Sequence, residues 1–161
     1  MMITLYAHPA SQPARSVIWA CVIKSLPIQL QTSAQHLGNV NPRRQMPAID
    51  DQGFTLTEMP AILTYLADKH GWDDLYPQDL HTRARIHAYL HAHHSLTRLA
   101  TMKLMAPHIH VAFTTSQLTN PHSYLFNQCV HASMASKQGL AEGQQVVEQM
   151  LDYLEEVYLQ K

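Results

Sequence analysis

The chain has 161 residues, enough for one compact domain or two small subdomains that share an interface. Apolar residues make up 46% of it and charged residues 14%, and the net charge of -1 leaves no basic excess for binding a nucleic-acid backbone. With no apolar run as long as a membrane span, no signal-peptide pattern and only Cys21 and Cys129 as cysteines, the sequence predicts a soluble cytoplasmic protein without membrane or nucleic-acid partners.

The first third of the sequence is predicted to form a strand, a helix and a second strand. The apolar run at 2–7 is typical of a buried strand. Pro13 suits the first turn of the helix that follows, and Pro27 should end that helix region. Ile28 and Leu30 alternate with polar residues, as in a half-buried strand. A strand–helix–strand unit implies a parallel pair of strands with a right-handed crossover.

Two short strands and a helix are predicted next. The strands, 46–50 and 54–57, are separated by Asp51-Gln52-Gly53, a hairpin signal with glycine in the left-handed conformation. A helix should follow with Glu58 in its first turn, and Gly71 should end it. The predicted order of the N-terminal part is therefore β-α-β followed by β-β-α.

The remainder is predicted to be helical. Residues 72–78 are interpreted as a linker, and a long helix should then begin at Pro77-Gln78-Asp79 and end or bend at Pro107. Its rough apolar face is predicted to consist of Leu80, Ala84, Tyr89, Leu96, Leu99 and Leu104. Apolar residues also repeat at three and four between positions 146 and 158, whereas 108–143 is ambiguous. We therefore predict one domain at 1–72 and an all-α domain at 79–161.

Three segments, in this order and at this spacing, carry a family resemblance. They are Ser11-Gln12-Pro13-Ala14-Arg15, the stretch 41–66, and Leu75-Tyr76-Pro77-Gln78-Asp79-Leu80 with Arg83-Ala84-Arg85 behind it. With these segments the chain resembles a cytosolic glutathione S-transferase, and in particular the theta class. The resemblance implies an α/β plus all-α fold: a thioredoxin-like βαβ-ββα domain followed by a truncated form of the family's helical domain.

The resemblance also implies a chemistry, transfer of the glutathione thiolate to small electrophiles in detoxification. A free thiol with a pKa of ~8.5 is mostly protonated at neutral pH, so the protein must stabilise the thiolate. Ser11, just ahead of the Pro13 helix, is implied to be the catalytic hydroxyl that does so. Its local residues alone favour a plain helix cap instead. Tyr6 is the rival hydroxyl, but it is better explained as part of the first strand's core.

The binding residues follow from the same resemblance. A cis bond between Met46 and Pro47 would present backbone groups to an extended peptide ligand. Glu58 would bind the α-amino group of glutathione, or else only compensate a helix dipole, and His36 would contact the glycyl end. The implied glutathione-binding set is Gln12, His36, Gln45, Met46, Pro47, Glu58 and Met59, with Arg98 at the electrophile site.

Two residues depart from the family's pattern. Met59 stands where a serine usually follows the glutamate, so a hydroxyl donor worth about 1.5–3 kcal/mol is lost. Gln45 stands where a lysine is common, so a cation is lost. These departures and the short helical domain favour an alternative, a non-catalytic glutathione-transferase-like interaction module; a dehalogenase or isomerase of the same fold is a third hypothesis. The leading hypothesis is a transferase that forms a homodimer.

The twelve histidines raise the question of a metal site. His87, His91 and His94 recur at one helical face, a spacing that can bind zinc. Because no acidic or cysteine ligand lies near them, we predict solvated or interface histidines and no metal. Cys21 is predicted to be a packed thiol, since a cysteine-type redox transferase would need its thiol at position 11, where this chain has serine.

Overall fold

The structure is a computed structural model that describes residues 2–98 and 137–159, and the chain divides into two units, 1–86 and 87–161. In the first unit, a four-stranded sheet and three helices follow one another along the chain. They are β1 (Ile3–Tyr6), α1 (Gln12–Ile23), β2 (Ile28–Gln31), α2 (Leu37–Val40), β3 (Ala48–Asp51), β4 (Phe54–Thr57) and α3 (Met59–His70). Helix α4 (Leu80–Ser95) begins in this unit.

The sheet has the strand order β2-β1-β3-β4. β1 and β2 are parallel, as a pair joined through helix α1 must be, whereas β1–β3 and β3–β4 are antiparallel. This is the thioredoxin-like βαβ-ββα arrangement, and it confirms the predicted fold of the N-terminal part.

The β3–β4 hairpin has a shorter turn than predicted. Asp51 belongs to β3, so only Gln52 and Gly53 form the turn, with φ angles of 59° and 93°. A type I′ turn requires positive φ at both of these positions. The turn is held by Asp50, whose Oδ1 accepts a hydrogen bond of 2.8 Å from the Gly53 N–H.

Helices α1 and α3 pack with the sheet in the main core. Its most deeply buried side chains come from β1, β3 and both helices: Leu5, Val17, Cys21, Ile49, Ile62 and Leu66. A second cluster is formed by Leu37, Val40 and Ala48, and Tyr6 and Met46 pack against it. The prediction that Tyr6 is a packing residue of the first strand agrees with this position.

Residues 72–78 are not the free linker that the sequence suggested. Trp72 and Tyr76 are only 6% and 7% exposed, and both belong to the main core. Arg83 covers this segment, because its guanidinium lies 4.1 Å from the centre of the Tyr76 ring and its Nε donates to the Pro77 carbonyl oxygen at 2.7 Å. The segment is irregular in backbone but fixed by its side chains.

The predicted apolar face of α4 is wrong. Leu80 is 77% exposed, and Ala84 and Tyr89 are exposed as well. Leu80 and Tyr89 are about two and a half turns apart and so point in opposite directions, which means that they could not share a face. The helix begins at Leu80 because Oδ2 of Asp79 accepts a hydrogen bond of 2.8 Å from the Thr82 N–H, as a capping residue does. Leu99, Leu104 and Pro107 lie outside the described residues.

In the second unit the structure describes a helix, α5 (Lys137–Leu154), followed by a π-helical turn at Glu155–Leu159. This confirms the helix predicted from the repeat of apolar residues, and Met150 is its buried side chain among those described. The helix includes Gly139 and Gly143, so it begins within the stretch that the sequence left ambiguous. None of the helices within 2–98 and 137–159 has the length and apolar character needed to cross a membrane.

Candidate functional site

One row of paired residues crosses the whole sheet. Tyr6 of β1 is paired with Gln31 of β2 on one side and with Ala48 of β3 on the other, and Ala48 is in turn paired with Thr57 of β4. Since neighbouring strands lie ~4.8 Å apart, the row is roughly 14 Å long. It marks the side of the sheet formed by the strand ends, where β1 ends, β3 begins and β4 ends. This side is called the edge of the sheet below.

Three predicted site residues adjoin this row. Pro47 directly precedes the β3 member, and Glu58 directly follows the β4 member. Ser11 ends the short loop that leaves the β1 member. The register of the sheet therefore brings these residues to one edge, although they are up to 47 positions apart in the sequence.

Ser11 precedes the first residue of α1, with an extended backbone, and its hydroxyl makes no capping hydrogen bond. The side-chain cap that its local sequence favoured is therefore absent. The backbone is held on both sides, because the Ser11 N–H donates to the His8 carbonyl at 2.9 Å and the Ser11 carbonyl accepts from the Arg15 N–H at 3.0 Å. The hydroxyl thus lies at a helix N-terminus without a capping role, and that terminus favours an anion.

Gln12, the first residue of α1, has a buried side-chain oxygen. Within the described part of the chain, Oε1 of Gln12 has no hydrogen-bond donor. A buried acceptor left without a donor costs about 1–3 kcal/mol, so such groups call for a partner. An N–H group of a bound molecule would supply one.

The peptide bond between Met46 and Pro47 is cis, as the resemblance implies. Pro47 is buried, and Met46 packs against the second cluster. Gln45 has an exposed side chain, and its carbonyl oxygen accepts a hydrogen bond of 2.8 Å from Nδ2 of Asn41. Of these residues, Gln45 presents its side chain to solvent and Met46 is partly buried.

The sequence predicted Glu58 in the first turn of α3. In the structure Glu58 is the residue directly before the helix, at the N-cap position. Its φ and ψ are 71° and 121°, far from helical values, and its exposed side chain makes no capping hydrogen bond. Backbone angles of this kind in a residue other than glycine are uncommon and are often found at binding sites. As the N-cap residue, Glu58 places a carboxylate at the positive end of the α3 dipole.

Met59 places its side chain in the protein interior. It is 5% exposed and belongs to the main core, so the thioether is not a ligand contact. What remains for a ligand is the backbone N–H of Met59, because the first N–H groups of a helix have no partner within it. The predicted role of this residue is thereby reduced to its main chain.

His36 and Arg98 complete the predicted set. His36 is exposed at the start of α2, with a left-handed φ of 64°. Arg98 belongs to the second unit, where its charge acts on His93. Of the described residues, no three histidine, cysteine or acidic side chains form a group able to hold a metal ion.

Two arginines near this edge were not assigned a role from the sequence. Arg15 bonds the loop that carries Ser11. Arg44 has a positive φ of 51°, and its Nε would lie 3.2 Å from a methyl group placed on Gly38, two residues beyond His36. The guanidinium of Arg44 therefore supplies a cation close to α2. The sequence pattern indicates only that Gln45 replaces a lysine that is common in the family, and it does not identify Arg44 as another source of positive charge.

Comparison with known proteins shows which family the first unit resembles. The family model "Glutathione S-transferase, N-terminal domain" matches residues 5–74. Residues 5–74 are therefore similar to the N-terminal domain of glutathione S-transferases. Glutathione S-transferase theta-1 of Rattus norvegicus is 38% identical over an alignment of 114 positions that covers 65% of this chain and 48% of that protein. Glutathione S-transferase theta-3 of Mus musculus is 38% identical over an alignment of 121 positions that covers 66% of this chain and 50% of the relative.

Solved glutathione S-transferase structures extend the likeness beyond this domain. Human glutathione-S-transferase T1-1 in its apo form matches 99% of this chain and 64% of its own, with a TM-score of 0.74 and 32% identity. A human theta-class transferase in complex with the glutathione conjugate of 1-menaphthyl sulfate matches 99% and 62%, with a TM-score of 0.74 and 25% identity. The chain is therefore theta-class-like, and it spans about half the length of the curated relatives it matches.

Proposed function

We propose that this chain binds glutathione at the edge of the sheet and transfers its thiolate to small electrophiles. The observation that carries the proposal is the row from Gln31 to Thr57, which brings Ser11, Pro47 and Glu58 to one edge. One theta-class structure with this fold contains a glutathione conjugate, which supports the choice of ligand.

In this proposal Ser11 stabilises the thiolate. The Ser11 hydroxyl makes no capping hydrogen bond to α1. Once the thiol proton has left to solvent, this hydroxyl donates a hydrogen bond to the sulfur anion at the positive end of the helix. The sulfur lone pair then forms the carbon–sulfur bond, and the leaving group departs with its bonding electrons. Lowering the thiol pKa by about two units raises the thiolate fraction ~25-fold at neutral pH and corresponds to about 2.7 kcal/mol.

The rest of glutathione is anchored by groups along the same edge. The carboxylate of Glu58 binds the α-amino group, and the Met59 N–H at the start of α3 binds the α-carboxylate. Gln12 accepts an N–H of the peptide through its otherwise unpaired oxygen. In this proposal the glycyl carboxylate is held by His36, which precedes α2, and by Arg44, whose guanidinium lies beside Gly38 of α2. A cation at Arg44 offsets the loss of the lysine replaced by Gln45.

We also propose a cytoplasmic homodimer. Trp19, Val22 and Ile23 recur at three and four on α1 and are exposed, Trp19 by 71%, as is Phe54 on the edge strand β4. Exposed apolar groups of this size favour association. Sedimentation equilibrium should give twice the mass of the chain, and a mass of one chain at micromolar concentration would contradict the dimer.

The second candidate is a glutathione-transferase-like module without catalysis. The observation that favours it is that Met59 has its thioether in the core, so the side chain of this residue gives a bound ligand no hydrogen bond. It differs from the first candidate in one measurable respect: the module has no conjugating activity even when it is folded.

Isothermal titration calorimetry with glutathione and initial rates with a generic aromatic electrophile test the proposal. Ser11→Ala should lower kcat at least tenfold, because the thiolate loses its donor. Ser16→Ala, a matched serine on the same helix whose hydroxyl bonds the Gln12 carbonyl, should leave kcat unchanged. No heat of binding at millimolar glutathione would refute the proposal, and binding without any conjugation would favour the module.

A further inference from the structure

The loop between β1 and α1 is fixed by two sets of hydrogen bonds. Within the loop, the Ser11 N–H donates to the His8 carbonyl at 2.9 Å, and the Ala10 N–H donates to Nδ1 of His8 at 3.2 Å. From the helix, Nη1 of Arg15 donates to the carbonyl oxygens of Pro9 at 2.9 Å and Ala10 at 3.1 Å. Arg15 thereby ties α1 to the two residues directly before Ser11.

Arg15 is poorly explained by helix stability. It lies in the first turns of α1, at the end where the helix dipole is positive and where a cation is unfavourable. The carbonyl oxygens of Pro9 and Ala10 compensate that charge, since they accept both hydrogen bonds. The remaining positive potential at this end of α1 favours an anion beside Ser11.

We propose that Arg15 is a positioning residue, which holds the loop so that the Ser11 hydroxyl is directed at the sulfur of bound glutathione. This inference rests on the proposed function. Arg15 contacts the main chain of the loop, so it acts through Ser11. The two carbonyl contacts at 2.9 and 3.1 Å are what links the guanidinium to the position of the hydroxyl.

Arg15→Ala should separate the two kinetic parameters of conjugation. At about pH 5.5, below the thiol pKa of about 6.5 proposed above, kcat should fall about tenfold with the loop released, because a rise of about one unit in the pKa of the bound thiol then leaves tenfold less thiolate. KM for glutathione should change less than twofold, because the groups that anchor the tripeptide are untouched. Arg15→Lys should restore kcat to within about threefold of wild type, since a single nitrogen now makes both contacts and an ammonium donates in the same way.

Arg83 provides a matched control. Like Arg15, it donates to the carbonyl oxygen of a proline six residues earlier, here Pro77, and it also pairs with Asp68. Asp68 lies about 14 Å along α3 from the helix start that adjoins the site. Arg83→Ala should lower the melting temperature without changing kcat or the thiol pKa.

Kinetics, thiolate absorbance titrations and melting curves of the full chain decide the matter. An unchanged kcat and thiol pKa in Arg15→Ala would overturn the inference alone, as would a loss confined to KM or an equal loss in Arg83→Ala. Absence of conjugation by the wild type would overturn the proposed function and this inference together. If Arg15→Ala does not fold, Arg15→Gln replaces it: a lower kcat at constant KM supports positioning, and an unchanged kcat refutes it.

Discussion

Tyr6 and Ala48 lie opposite each other in the antiparallel pairing of β1 and β3. The chain leaves the sheet at Tyr6 towards Ser11 and enters it at Ala48 from Pro47. A slip of one residue in this pairing would displace the serine from the proline by about 3.4 Å and turn the buried side chains of the strand to the other face. The core that fixes the register therefore also fixes the candidate site.

Met59→Ser should make the folded protein less stable and its binding of glutathione tighter. Because the Met59 side chain lies in the main core, its removal should lower the free energy of unfolding by about 2–5 kcal/mol. The new hydroxyl at the start of α3 should tighten glutathione binding about tenfold, through a hydrogen bond to its carboxylate. Met59→Ala is the matched control, with the same loss of stability and no gain in affinity. Denaturant titration and calorimetry measure both, and an undiminished stability of Met59→Ala would contradict the core position.

Asp51 should make the first unit sensitive to acid. Burial raises the pKa of this carboxyl, but hydrogen bonds from Lys69 and from the Tyr65 hydroxyl (2.6 Å) and the charge of Lys69 outweigh it, so the pKa lies below its usual value. Since the folded pKa is below the unfolded value of ~3.9, its contribution is present above that pH and is lost as the pH falls through the folded pKa.

Asp51→Asn tests this directly. The variant should lose about 1.5–3 kcal/mol of unfolding free energy at neutral pH, because the buried side chain at position 51 loses its charge-assisted hydrogen bond with Lys69, and its stability should fall less steeply below about pH 4. Asp74→Asn, which removes an exposed partner of Lys24, should leave the free energy of unfolding nearly unchanged. Equal losses in the two variants would contradict the special position of Asp51.

His93 should destabilise the second unit at mildly acidic pH. Its ring is 7% exposed, and Nε2 has no partner in the described part of the chain. Burial lowers its pKa, and the charges of His94 and Arg98 lower it further. Because the folded pKa lies below the unfolded ~6.5, the stability present above that pH decreases as the pH falls through the folded pKa. His93→Phe should flatten this dependence in denaturant titrations, whereas exposed His91→Phe should not; identical pH profiles would refute it.

Cys21 should be nearly inert in the folded protein. Burial raises the pKa of its thiol to about 11. Compared with a free thiol of pKa ~8.5, the thiolate fraction at neutral pH is then about 300-fold lower. In a Cys129→Ser background, a disulfide reagent should modify the thiol slowly under native conditions and rapidly in denaturant. Rapid modification of the folded protein would show that Cys21 is accessible.

The order of elements in the first unit could be predicted because local signals agreed. Pro13 and Pro27 delimit α1, and the pair Gln52-Gly53 sits between two apolar strands. The family resemblance then pointed to Ser11 and Glu58, and the structure places both next to the row of paired residues. The order of the elements was predicted correctly where a turn or a helix end has its own residue chemistry.

The errors arose where tertiary packing decides. Trp72 and Tyr76 lie in a segment without regular secondary structure. Such a segment has no periodic pattern of apolar residues from which the burial of these two rings could be predicted. Met59 is the first residue of its helix, so no repeat indicated that its side chain faces the core. The contacts of Arg15 with the loop also depend on the path of the backbone before α1, which the sequence pattern does not specify.

Titration of the thiolate absorbance of bound glutathione tests the central claim most directly. In the wild-type protein the bound thiol should titrate about two units below the free value of ~8.5, because the Ser11 hydroxyl and the start of α1 stabilise the anion. In Ser11→Ala the titration should move back towards the free value while glutathione remains bound. A bound thiol that titrates like free glutathione in the wild type, or identically in both proteins, would contradict the proposed role of Ser11.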